Sequence, residues 1–284
     1  MSDLTIINDF NIEPVVSYYN FQYVFCVDIT GDMNDSFDNV CEFIMNVCDS
    51  AYKLNDKYKD DYNGDYKDDY DCRKIILNTR FVLFKDYQYD ANPIIESDFF
   101  DYVTQKDEFF KFLVDNSLEY SEKGRSLIGG GDIPESVYEA LYIAINSNWD
   151  NKKIDFKTKT RYVNKNIIIL ITNSGVRNLE DVDRDNIVNY PKDMPKTTEE
   201  LRNYWNTTDK ISKHGKRLLV FSNESFLSSF YNWDYAAEFY KERKLEFDSS
   251  DVNAASTVDF IWWILIKIHL IIFKYIVENT WLLL

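Results

Sequence analysis

Short apolar runs alternate along this chain with longer segments in which apolar residues recur every three or four positions. The runs lie at residues 23–27 and 167–171, and the segments 75–84 and 217–221, which include polar residues, also have strand character. Apolar runs without polar alternation are typical of strands that are buried on both faces of a sheet. The periodic segments, such as residues 40–51, predict helices. The alternation of the two patterns predicts βαβ units and an α/β fold with a doubly wound, mostly parallel sheet flanked by helices.

The other predicted helices and strands are consistent with a single domain. Helical spacing predicts further helices around residues 109–113, 137–145, 197–213 and 226–242, and a last strand is predicted at 244–247. A length of 284 residues suits one large domain better than two. We therefore expect an N-terminal extension at 1–17 and a single domain at 18–284, with an acidic Tyr/Asp/Lys loop at 53–71 and an apolar C-terminal helix at about 253–278.

Charge narrows the classes of partner. The chain has 48 acidic and 32 basic residues and a formal net charge of −16. Nucleic acid and anionic membrane surfaces attract clusters of Lys and Arg, so neither is expected as a partner. The first twenty residues contain Asp3, Asp9 and Glu13 and lack the basic start and apolar core of a secretory signal. The expected location is cytoplasmic.

The apolar segment at 261–277 permits two interpretations. Its seventeen residues are close to the shortest helix that spans a bilayer, and Trp262, Trp263 and Trp281 lie near its ends. Lys267 and Lys274 would each cost about 2.5–3.5 kcal/mol at the centre of a membrane. A helix packed on the sheet is the preferred prediction, and a membrane anchor is the alternative.

Candidate chemistry begins where the first apolar run ends. Asp28, Thr30 and Asp32 alternate just after this run, and Gly31 allows a tight turn between them. Ligands of open α/β sheets bind beyond the carboxyl ends of the strands. Three oxygens converging there would suit a hard divalent cation.

Four motifs, in order, resemble a von Willebrand factor type A domain of the hemicentin-like branch that is common in protists and bacteria. Residues 23–33 resemble its first strand and Asp-x-Thr-Gly-Ser-Met loop, and 84–87 resemble a later aromatic-basic-Asp-Tyr signature. Residues 129–135 resemble Gly-Gly-Gly-Asp-x-Pro-Glu, and 167–175 resemble the strand before the last metal loop. The resemblance spans roughly residues 18–250 and implies a Rossmann-like fold.

The resemblance also implies a metal-ion-dependent adhesion site that binds Mg²⁺ or Ca²⁺. Carried over by position, its ligands would be Asp28, Thr30 and Asp32 from the first loop, Asp132 from the second and Asn173 from the third. Asp32 stands where the family has serine, and Asn173 stands where it has aspartate. Three carboxylates leave such a site negative and repel a partner's carboxylate, so the ion is expected to act mainly as a structural staple.

The resulting expectation is a non-catalytic protein-binding module with an unknown protein partner. Two alternatives stay open. In a Mg²⁺-dependent, phosphatase-like enzyme, Asp28 would be the nucleophile, although Thr30 stands where such enzymes place an acid/base aspartate. In a degenerate domain the metal is lost, Asn173 hydrogen-bonds Asp28, and the role is structural.

Overall fold

The computed structural model describes residues 16–60, 74–121, 124–127, 135–172, 175–187, 189–213, 215–222, 230 and 232–239. The predicted C-terminal helix and the predicted strand at 244–247 lie outside these residues. So do most of the predicted N-terminal extension and residues 61–71 of the predicted acidic loop.

An eight-stranded mixed sheet forms the centre of the described structure. The strands along the chain are β1 (Val16–Asp28), β2 (Lys74–Phe84), β3 (Ile94–Glu96), β4 (Phe100–Asp101), β5 (Glu119–Ser121), β6 (Gly124–Ser126), β7 (Ile154–Asp155), β8 (Thr160–Thr172), β9 (Lys216–Ser222) and β10 (Ala236–Phe239). The order across the sheet is β10-β9-β8-β1-β2-β3, with β4 paired to β2 and β7 paired to β8. Strands β10, β9, β8, β1 and β2 pair in parallel, whereas β3, β4 and β7 are antiparallel. Strands β5 and β6 form a separate hairpin.

Four α-helices accompany these strands in the described residues: α1 (Phe37–Asp60), α2 (Lys106–Ser117), α3 (Val137–Ile145) and α4 (Thr198–Thr207). Short 3₁₀ helices occupy Gly31–Ser36, Leu179–Asp181 and Arg184–Asn186. Residues 53–60 of the predicted acidic loop continue helix α1. The Thr197 hydroxyl caps α4 by accepting the Glu200 N–H. Within the described part of the chain, every helix is too short or too polar to cross a bilayer.

Two apolar cores cover the two faces of the sheet. Along β1, Phe25 and Val27 face the first core, and Val24 and Cys26 face the second. All four side chains are fully buried. This alternation of a continuous apolar run onto two covered faces confirms that β1 is a strand buried on both sides.

The prediction of a Rossmann-like, doubly wound, mostly parallel sheet is wrong. The sheet is a curled mixture of parallel and antiparallel strands, and the described residues contain only four α-helices. The physical reason lies in the connections, because the chain forms short antiparallel strands there in addition to the helices. After β2 the chain turns over residues 85–93 and pairs with β2 again as the antiparallel strand β3. Strand β7 likewise pairs with β8 through the four-residue turn 156–159.

A second difference concerns the predicted helix at 226–242. Residues 236–239 form strand β10, which pairs in parallel with β9. Trp233 lies just before this strand and is buried in the second core beside Trp205 and Phe230. Tertiary packing of these aromatic residues outweighs the helical spacing on which the prediction rested.

Candidate functional site

Asp28 ends strand β1 and lies at the carboxyl edge of the sheet with no exposed surface. Its Oδ1 accepts the Thr30 backbone N–H at 3.0 Å and the Thr30 hydroxyl at 2.7 Å. Its Oδ2 accepts the hydroxyl of Thr172, the last residue of β8, at 2.8 Å. Because β1 and β8 run in parallel, their ends meet here, and the carboxylate ties the loop after β1 to the neighbouring strand.

Asp86 occupies the corresponding place after strand β2. The side chain is fully buried, and Oδ2 accepts a hydrogen bond from the Arg177 guanidinium at 2.7 Å. Oδ1 accepts the Gln88 N–H at 2.8 Å, which closes a tight turn. The Arg177 side chain is only 9 % exposed, so this is a buried ion pair. Breaking such a pair strands a charge in the interior.

Glu135 comes from a third segment, two residues before helix α3. Its backbone N–H donates to the Gly175 carbonyl at 2.8 Å, and its own carbonyl accepts the Arg177 N–H at 3.3 Å. These bonds form an isolated parallel bridge between Glu135 and Val176. The Glu135 residue is 1 % exposed, and its Oε2 has no hydrogen-bond partner within the described structure.

The environment of Glu135 favours its neutral form. Burial, reinforced by the negative charges of Asp28 and Asp86 and then of Asp90 and Asp32, raises the pKa of Glu135 to about 9. At neutral pH the carboxyl group therefore holds its proton. We call Asp28, Asp86, Glu135 and Arg177 the carboxyl-edge cluster, in which Arg177 is the cation.

A second carboxyl group with a raised pKa lies one helical turn further along, at Glu139 of α3. Its Oε1 accepts the Tyr190 hydroxyl at 2.7 Å, and burial raises the pKa of Glu139. The Tyr190 ring lies against Tyr87, with ring centres 5.2 Å apart. The Tyr87 backbone N–H in turn donates to the Ser136 hydroxyl. These contacts join the turn after β2 to the start of α3.

The structure brings together only part of the predicted ligand set. Asp28 and Thr30 lie together in the interior, whereas Asp32 is exposed on the 3₁₀ helix Gly31–Ser36. Asp132 and Asn173 lie outside the described residues. Among the residues that are described, no three acidic, histidine or cysteine side chains form a group able to hold a metal ion. Because two of its five predicted ligands lie outside the described residues, the adhesion site that the resemblance implied stays a prediction.

Three members of the carboxyl-edge cluster were not predicted as site residues. Asp86 could have been found, because it is the first carboxylate after an apolar run, as Asp28 is. Glu135 fitted the first turn of a helix and gave no sign of burial. Arg177 lies five positions beyond β8 in a polar segment, and no spacing marks it as the partner of Asp86.

Comparison with known proteins establishes no family. No family model matches the chain, and no curated protein matches it. Among solved structures, the pilus adhesin SpaC from Lactobacillus rhamnosus GG aligns at a TM-score of 0.36 and 11 % identity, over 73 % of this chain and 25 % of that one. The chain thus spans about a quarter of that protein, and a likeness this weak carries no argument about function. The assignment to von Willebrand factor type A domains is wrong, because no family model supports it and the curled, mixed sheet departs from the fold that it implied.

Proposed function

We propose that this chain is a non-catalytic protein-binding module that presents the carboxyl edge of β1, β2 and β8 to a protein partner. The observation that carries the proposal is the state of Asp28. This carboxylate is fully buried and accepts three hydrogen bonds from Thr30 and Thr172. It ties the loop after β1 to the end of strand β8, which is a structural task.

The same observation disfavours the phosphatase-like alternative. A nucleophilic carboxylate must reach the phosphorus atom of its substrate in line with the leaving group. Asp28 has no exposed surface, and an attack through Oδ2 would require loss of the bond from Thr172. The geometry suits a group that organises the loops around it.

The loops organised in this way carry exposed polar and aromatic groups. The 3₁₀ helix after β1 exposes Asp32, and the turn after β2 exposes Gln88 and Tyr89, whose residue is 57 % exposed. Tyrosine is enriched in protein interfaces because its ring offers contact area and its hydroxyl offers a hydrogen bond. A surface with the exposed carboxylate of Asp32 and the exposed ring of Tyr89 fits a partner that presents basic side chains.

Binding of Mg²⁺ or Ca²⁺ at Asp28, Thr30, Asp32, Asp132 and Asn173 stays a prediction. In its favour, the Asp28 carboxylate and the Thr30 hydroxyl lie side by side and are oxygen groups of the kind that hard cations prefer. Calorimetry of chelator-treated protein with Mg²⁺, Ca²⁺ and Mn²⁺, compared with an Asp28→Asn variant, tests it. A heat of binding that is seen with the intact protein and lost in the variant would support a metal site. Absence of a heat of binding with the intact protein would favour the metal-free alternative.

The binding proposal itself is tested by affinity capture with three baits. They are the intact chain, a surface variant carrying Asp32→Asn and Tyr89→Ser, and a control variant carrying Lys192→Gln and Lys196→Gln, all at exposed positions. A partner retained by the intact chain and the control but lost from the surface variant supports the proposal. Equal retention by all three baits would exclude this surface. Hydrolysis of p-nitrophenyl phosphate that is lost in Asp28→Asn would refute the non-catalytic assignment.

A further inference from the structure

The hairpin that joins β7 to β8 carries an exposed aromatic ring among basic side chains. Phe156 is 80 % exposed, the largest exposure among the bulky apolar residues that the structure describes, and Ile154 beside it is 47 % exposed. The acidic residues between positions 150 and 161 are Asp150, which forms an ion pair with Lys152 at 3.6 Å, and Asp155. Five basic residues, all exposed, surround Asp155: Lys152, Lys153, Lys157, Lys159 and Arg161.

Local hydrogen bonds fix the shape of this hairpin. Asp155 pairs with Thr160 across the turn, and its Oδ1 accepts the Lys157 N–H at 2.9 Å. The Thr158 hydroxyl donates to the Thr160 hydroxyl at 2.8 Å. Lys159 has a φ of 52°, in the left-handed region that closes such turns. These bonds order the backbone of the turn on which the exposed Phe156 side chain stands.

The hairpin is far from the acidic end of the sheet. It enters β8 at Thr160, and the thirteen residues of that strand end at Thr172, which bonds Asp28. At about 3.3 Å per residue, the two ends are about 40 Å apart along the strand. Exposed charges are screened beyond about 8 Å at physiological ionic strength. The net charge of −16, on which the expectation of no membrane contact rested, therefore does not describe the field at this hairpin.

We propose that the β7–β8 hairpin docks the protein on an anionic phospholipid surface, with Phe156 entering the interfacial layer and the surrounding lysines and Arg161 contacting lipid phosphates. Basic side chains around an exposed aromatic ring are the combination that interfacial membrane binding uses. A ring at the tip of a convex turn inserts readily between lipid headgroups, whereas a protein partner would have to offer a matching pocket. Docked in this way, the protein points its carboxyl edge away from the membrane.

Co-sedimentation with vesicles tests the proposal. The intact chain is expected to bind phosphatidylcholine vesicles that contain phosphatidylserine, to bind pure phosphatidylcholine weakly, and to lose affinity as salt is added. A Lys157→Gln/Lys159→Gln variant should bind about 25-fold more weakly, since each lysine contributes roughly fivefold. Phe156→Ser should cost about tenfold. All three positions are exposed, so folding is not threatened.

Matched controls separate the hairpin from general charge and hydrophobicity. A Lys192→Gln/Lys196→Gln variant changes the net charge by the same amount at exposed positions elsewhere, and Tyr89→Ser removes an exposed ring at the carboxyl edge. Both should bind vesicles as the intact chain does. Equal loss in the hairpin and control variants would overturn the proposal. It would also be overturned if the intact chain did not co-sediment with anionic vesicles but bound polyglutamate or duplex DNA. The hairpin would then recognise another kind of polyanion.

Discussion

Replacing Glu135 by glutamine should remove a loss of stability that the intact protein undergoes as the pH rises from 4.5 to about 9. Glu135 is buried beside Asp28 and Asp86, and these surroundings raise the pKa of its carboxyl group to about 9. Glutamine has nearly the same shape as the protonated acid and cannot ionise. The substitution therefore preserves the neutral form of the side chain and eliminates the charged form, which the cluster opposes.

The sign of the effect follows from proton binding. Between pH 4.5, the ordinary pKa of this group, and about pH 9, the folded protein holds a proton that the unfolded chain releases. The free energy of unfolding therefore falls as the pH rises through this range. A single group contributes at most about 1.4 kcal/mol per pH unit. Glu139, whose pKa is also raised, adds a slope of the same sign that is present in both proteins and cancels in their difference.

Urea denaturation measures this difference directly. Chelator-treated intact chain and Glu135→Gln are unfolded at about pH 5.5, 7 and 8.5, and the difference in unfolding free energy is plotted against pH. We expect the unfolding free energy of the variant minus that of the intact protein to increase by about 1 kcal/mol or more from each pH to the next. Glu108→Gln, at an exposed position of α2, is the control and should show a flat difference. A flat difference for Glu135→Gln as well would refute the argument that Glu135 is neutral in the folded protein.

Three further predictions concern stability. Thr172→Val should lower the free energy of unfolding by about 1–3 kcal/mol, because the buried Asp28 Oδ2 loses a donor; urea denaturation checks this, with the exposed Thr207→Val as control. Phe81→Ala should cost about 3–5 kcal/mol in the same assay, because Phe81 is fully buried and stacked on Phe109 at 4.3 Å; a loss below about 1 kcal/mol would contradict this packing. Lys159→Gly should raise the free energy of unfolding by up to about 1 kcal/mol, since glycine adopts the positive φ at this position without strain. A slightly higher melting temperature would show this gain, and a lower melting temperature would show that the turn has another conformation.

The long buried strands could be predicted from the sequence because a strand buried on both faces contains a continuous run of apolar residues. Strand β1 contains the run at 23–27, and β8 contains the run at 167–171, within wider bounds than predicted. The periodic segment at 40–51 lies in helix α1. Each of these signals is long enough for periodicity to show, and each requires only that apolar residues reach a core.

The short strands could not be predicted in the same way. Strands β4 and β7 have two residues each and β3 has three, so each is too short for a repeated alternation to be recognised. Their pairing is decided by where the turns direct the chain and not by their own composition. The mixed character of the sheet depends on these strands, and for that reason the predicted fold class failed while the longer elements were located.

In the candidate site too, contacts that are local in sequence could be predicted and contacts between distant segments could not. Asp28 and Thr30 follow directly from the end of a buried strand, and their mutual hydrogen bonds are local in sequence. Glu135 and Arg177 reach the site through a single bridge between residues 135 and 176, which are 41 positions apart. No local pattern records such a contact. A buried glutamate and its surroundings therefore become visible only once the fold places them.

Charge shows most clearly why a property of the whole chain misleads about one of its surfaces. The acidic excess is real, yet the five basic residues of the β7–β8 hairpin lie within eleven positions and face solvent together. Screening limits each exposed charge to its neighbourhood, so a partner at the hairpin meets those five cations together with Asp150 and Asp155, and not the total of −16. A partner at the carboxyl edge meets Asp32 and the turn after β2 instead. Strand β8 runs from the hairpin at Thr160 to Thr172 at the carboxyl edge, so the full length of this strand separates the two surfaces.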